Sequence, residues 1–116
     1  MGRNDANFGR VRAMVADLAE KAVALAAAFR ARGLDADAGK VGLLSRRIAN
    51  VTALADKLGS NTPAKDGANL TKIDAEWNIL RRLTDGLNAP IAVRQDLLDF
   101  KEELQLLEDY LFKLRG

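Results

Sequence analysis

The 116-residue chain contains neither cysteine nor histidine. Without cysteine there is no disulfide, no thiolate nucleophile, no iron–sulfur site and no c-type haem attachment. Without histidine there is no imidazole zinc site, no His-ligated haem, no Ser-His-Asp triad and no Glu-x-x-His pair of a di-iron bundle. Catalysis would fall to carboxylates, Lys, Arg, Tyr or Ser/Thr alone. Aromatic residues are also scarce at 5%, and most lie on stripes that read as core, so platforms for stacking nucleic-acid bases are not expected. The longest apolar run, Ala22 to Phe29, is far short of the roughly 18 residues a bilayer crossing needs. Arg3, Arg10 and Arg12 before an Ala-rich stretch superficially resemble a signal peptide, but Asp17, Glu20 and Lys21 interrupt its apolar region. A soluble, cytoplasmic protein is the expectation.

What the chain does contain is alanine and leucine, 20 and 18 residues, against 14 of the β-branched Val, Ile and Thr. Ala and Leu lose little rotamer freedom in a helix, whereas branched side chains suit a pleated sheet. An all-α fold follows, and the length is that of a single domain, 1–116. The Ala- and Arg-rich composition associates with a bacterial or phage source. The net charge of +2 is divided unevenly: residues 1–59 hold 10 Lys/Arg and 6 Asp/Glu, residues 60–116 hold 8 and 10. Such a dipole can orient self-association, but it is too mild for a nucleic-acid-binding tail.

Apolar residues recur at alternating spacings of three and four, the period that keeps one stripe of a helix facing a neighbour. Helix 1, capped by Asn4 or Asp5 and stopped at Gly33, carries Phe8, Val11, Val15, Leu18, Ala22, Leu25 and Phe29. Helix 2, from about Asp37 to Leu58, carries Val41, Leu44, Ile48, Val51, Ala55 and Leu58. Residues 5–58 are thus expected to form one antiparallel hairpin. The stretch 59–70 is rich in breakers and reads as a loop, with one helical turn allowed at Pro63 under a Thr62 cap. A second hairpin is expected over 71–115. Its helix 3 starts near Thr71 at a Thr-Lys-Ile-Asp capping box and buries Ile73, Trp77, Leu80, Leu83 and Leu87, with the spacing skipping locally. Helix 4 is expected to start at Asn88-Ala89-Pro90, with Pro90 at a first-turn position, and to turn Val93, Leu97, Phe100, Leu104, Leu107, Leu111 and Leu114 inward. The expected fold is a four-helix, up-down-up-down bundle with coiled-coil-like packing. Helix 3, at about 16 residues, would be too short to cover the seam of helix 1 and would leave space for a ligand or a second chain.

The faces of helix 1 away from its seam are almost all alanine, and Ala24, Ala27, Ala28 and Ala31 are candidates for close helix–helix contact in a dimer or partner interface. Helix 2 has a comparable small-residue face at Gly42, Ser45, Ala49, Thr52 and Ala53. Phe112 flanks the helix 4 seam and is a candidate exposed contact, since a phenyl ring gains nothing from water. Arg10 and Arg12, with the pairs Arg46-Arg47 and Arg81-Arg82, form a candidate basic patch for phosphate. Trp77 reads as a core anchor whose indole N–H needs a partner, with contact to a small apolar ligand as the alternative. The acidic stretch of helix 4 lacks the second acidic helix a metal cage would need, and Gly39 and Gly42 lie inside a helical pattern, so no phosphate loop exists. No cofactor and no catalytic constellation is expected. The function expected is that of a non-enzymatic helical module that self-associates and binds a partner protein through apolar helix faces. The alternatives are a nucleic-acid-associated or regulatory protein using the arginines, and a binder of a small apolar ligand.

Overall fold

The computed structural model describes residues 3–59 and 62–115. Four helices account for nearly all of them: α1 (Arg3–Ala31), α2 (Asp35–Asp56), α3 (Pro63–Asp85) and α4 (Ile91–Arg115). The described residues contain no strand. The helices pack into a body of 48 × 19 × 18 Å. α1 contacts α2 and α4, α2 contacts α3, and α3 meets α4 more sparingly, a set of contacts that fits a bundle.

The seams read from the sequence are the core. Every residue named for α1 and α2 is buried, Phe8 to Phe29 and Val41 to Leu58. α1 stops where Gly33 takes φ of +73°. There the Leu34 N–H bonds the Phe29 carbonyl at 2.9 Å and the Gly33 N–H bonds that of Arg30 at 3.0 Å, a Schellman motif that satisfies two terminal carbonyls. Asn4 and Asp5 lie inside α1 rather than before it, and the side-chain cap expected of them falls outside the described side chains.

The expected 59–70 loop is the main correction. Residues 60 and 61 are outside the described residues, but from Pro63 onward the chain is continuous helix. Thr62 caps it, its hydroxyl accepting from the Lys65 N–H at 3.3 Å, with Pro63 at the first helical position. The single turn allowed there is therefore the start of α3. Thr71 is an interior residue whose hydroxyl donates back to the Gly67 carbonyl at 3.0 Å, not a cap. α3 has 23 residues rather than the roughly 16 expected, which narrows its shortfall against the 29 residues of α1 to six.

The spacing on α3 is corrected as well. The inward residue after Leu80 is Thr84, 1% exposed, while Leu83 is only half-buried. The seam Ile73, Trp77, Leu80, Thr84, Leu87 keeps the regular 4,3,4,3 rhythm. A polar residue can occupy it because the Thr84 hydroxyl donates to the Leu80 carbonyl at 2.7 Å. α4 begins at Ile91, so Asn88, Ala89 and Pro90 precede the helix rather than form its first turn; Val93 through Leu111 of its seam are buried, with Leu114 half-buried.

Candidate interaction surfaces

Three of the six candidate arginines, Arg10, Arg12 and Arg47, join helices to one another. Arg12 projects from α1 to the C-terminal end of α2, where its Nη1 donates to the carbonyls of Leu58 (3.1 Å) and Ala55 (3.3 Å). The Ala55 carbonyl already accepts from the Leu58 N–H at 3.1 Å, so the guanidinium adds a second donor to it and one to the Leu58 carbonyl while facing the negative pole of the helix dipole. The same end is closed from α3 by the Asp66 carboxylate, which accepts from the Gly59 N–H at 3.2 Å. Arg10 lies over the Tyr110 ring, 5.6 Å from its centroid, and the Tyr110 hydroxyl donates to Asn7 Oδ1 at 3.0 Å, tying α1 to α4. Arg47 pairs with Glu76 at 3.4 Å between α2 and α3, and Arg81 pairs with Asp85 one turn along α3 at 3.8 Å.

The six arginines are thus not gathered. Arg12 sits beside Ala55 and Leu58, whereas Arg82 shares a surface groove with Lys40 and Leu43 of α2. Ala55 and Lys40 are separated by about 22 Å along the helix at a 1.5 Å rise per residue. Arg46 and Arg82 are exposed.

Trp77 is 2% exposed, and its indole N–H donates to the Leu104 carbonyl of α4 at 2.8 Å. This bond ties α3 to α4, the pair of helices that meet most sparingly. Above the indole lies a groove of about 160 Å³ lined by Trp77, Arg81, Asp85, Lys101 and Leu104. Its rim is charged and the ring beneath it is almost wholly covered, so it offers no open stacking face.

The alanine face of α1 divides. Ala24, Ala27 and Ala31 are exposed, Ala28 is half-buried against the core, and Ala26, which the seam pattern does not single out, is buried. The small residues of α1 and α2 meet in a shallow apolar groove of about 280 Å³, lined by Ala19, Val23, Ser45, Ala49 and Thr52. Short side chains on both helices account for its shape.

Besides Val23 in this groove and Leu43 on α2, the exposed large apolar side chains lie on α4, Leu106 among them. On α4, Ile91 is 82%, Leu98 49% and Phe112 70% exposed. With the exposed Gln105 they recur every seven residues and so lie in one line on the outer face, drifting about 20° per repeat. Sequence reasoning reached Phe112 but missed Ile91 and Leu98. The signal was a second heptad out of phase with the buried seam, which the stronger seam masks.

Among the described residues no three acidic side chains converge as metal ligands. No described helix is long and apolar enough to cross a membrane. Family models, curated proteins and solved structures give no match to this chain.

Proposed function

We propose that this protein is a non-enzymatic helical interaction module that self-associates and binds a partner protein through apolar helix faces. The observation that carries this reading is the line of Ile91, Leu98 and Phe112 along the outer face of α4. Three large apolar side chains aligned over about 32 Å of helix are costly to leave in water and match the spacing at which a second helix is received. In this reading the outer face of α4 replaces the alanine face of α1 as the primary contact, with Phe112 common to both. Ala24, Ala27, Ala28 and Ala31 offer little apolar area apiece.

The four helices run alternately up and down as two antiparallel hairpins, with coiled-coil-like seams. The ties between helices support this order. The start of α1 (Arg12) touches the end of α2 (Ala55, Leu58), and Asn7 touches Tyr110 near the end of α4. The three-residue connection after Ala31 leaves no room for a crossover.

The test is size-exclusion chromatography with light scattering over a concentration series. The wild-type chain is expected to dimerise as concentration rises. The double variant Ile91→Ser/Phe112→Ser should remain a monomer with unchanged helicity, because substitutions at such exposed positions shift stability by only about 0.5 kcal/mol. A wild-type chain that stays monomeric at millimolar concentration refutes self-association.

A further inference from the structure

We infer that Asp85–Gly86, where α3 gives way to the connection into α4, is a site of spontaneous aspartate isomerisation that lengthens the main chain by one methylene. The inference is independent of the self-association proposed above.

An aspartate followed by glycine can cyclise because the glycine has no side chain to obstruct its amide as it approaches the carboxyl carbon. The Gly86 nitrogen attacks Asp85 Cγ, a nitrogen–carbon bond forms, and one carboxyl oxygen leaves as water together with the amide hydrogen. The resulting succinimide then takes up water at one of its two carbonyls. Opening at the former side-chain carbonyl restores aspartate. Opening at the former main-chain carbonyl leaves the chain running through Cβ and Cγ, with the α-carboxylate as the new side group. The water released is taken up again, and nothing is oxidised or reduced.

The sequence contains two such pairs, Asp66–Gly67 and Asp85–Gly86, and the structure protects only the first. Asp66 is 9% exposed, its carboxylate accepts from the Gly59 N–H at 3.2 Å, and the helix continues unbroken through Gly67. Closing a ring there requires the start of α3 to unwind, exposing Asn69 and Leu70 as well. Asp85 is instead the last residue of α3, with a side chain 61% exposed. Its pairing with Arg81, at 3.8 Å and equally exposed, has little power to hold the carboxylate. The Gly86 N–H is shared between the Arg82 and Leu83 carbonyls at 3.2 and 3.3 Å. Helix ends open at little cost, whereas packed turns open only with the structure around them. The amide that must swing toward a free carboxyl carbon is therefore one of the least restrained in α3.

The backbone itself does not demand glycine at 86. Its φ is −82°, and a Cβ there would meet the Leu83 carbonyl oxygen at 3.5 Å, an ordinary contact. Gly86→Ala thus keeps the fold while obstructing the attack. The added methylene would fall between Thr84 and Leu87, both buried, whose 3.0 Å bond from the Leu87 N–H to the Thr84 carbonyl closes the end of α3.

The test is to hold the folded chain at physiological temperature and pH for weeks and to map isoaspartate by peptide mass spectrometry with electron-transfer fragmentation. Asp85 is expected to convert roughly tenfold faster than Asp66 or more, a ratio set by the difference in local opening free energy. In guanidinium chloride the two sites should convert at similar rates. Gly86→Ala should slow conversion at Asp85 severalfold with unchanged circular dichroism. Asp85→Asn, which loses ammonia in place of water, should convert faster and show it as a gain in intact mass. Equal conversion at Asp66 and Asp85 in the folded chain overturns the inference. So does an Asp85 that stays intact when folded but converts when unfolded, or a Gly86→Ala variant that converts at the wild-type rate.

Discussion

Trp77→Phe separates the two roles the indole plays. The ring is 2% exposed, and its N–H is held 2.8 Å from the Leu104 carbonyl of the neighbouring helix. Phenylalanine keeps an aromatic ring but forfeits that hydrogen bond, worth about 0.5–1.5 kcal/mol net. It also withdraws part of a ring from a packed interior, where each missing methylene-sized group costs on the order of 1 kcal/mol. A loss of about 2–3 kcal/mol is expected, a large fraction of the ~5–15 kcal/mol that holds a domain folded. For a chain of this length that is a fall in Tm of roughly 10 °C. The assay is urea denaturation followed by circular dichroism, because the variant has no tryptophan to report. Trp77→Ala, which opens a cavity as well, should cost more, about 3–5 kcal/mol. If Trp77→Phe unfolds within 0.5 kcal/mol of the wild type, the indole is not the tie between α3 and α4.

Two further substitutions probe the helix ends. Arg12→Ala leaves the Ala55 and Leu58 carbonyls without their cationic donor, and a loss of about 1–2 kcal/mol in urea denaturation is expected, whereas Arg46→Ala on the exposed face of α2 should cost less than about 0.5 kcal/mol. Gly33→Ala should cost about 1–2 kcal/mol by thermal unfolding although a methyl group there meets nothing within 4 Å, because the penalty lies in the backbone at φ of +73°.

The beginning of α3 shows where local sequence reasoning loses its grip. Gly59 to Leu70 reads as a loop because Gly67, Asp66 and Asn69 each disfavour the middle of a helix. Yet Asp66 and Asn69 are nearly buried, Leu70 joins the core, and Asp66 seals the Gly59 N–H. Tertiary contacts outweigh propensities of less than about 1 kcal/mol per residue. Leu83 reads as a seam residue ahead of Thr84 on hydropathy alone. Hydropathy ranks the leucine first, but the regular period puts Thr84 inward, where its hydroxyl finds the Leu80 carbonyl.

Periodicity alone determined that the chain is helical, that there are four helices, and which stripe of each faces inward, because a 3.6-residue repeat commits an apolar row to one side whatever lies opposite. It could not say what lies opposite. That Arg12 closes α2, that Tyr110 meets Asn7 from 103 positions away, and that Trp77 finds the Leu104 carbonyl were decided only when the helices took their places beside one another. The uncovered line on α4 belongs to the same class. A heptad marks a row of apolar side chains, but only the packed structure decides whether a neighbouring helix lies over it.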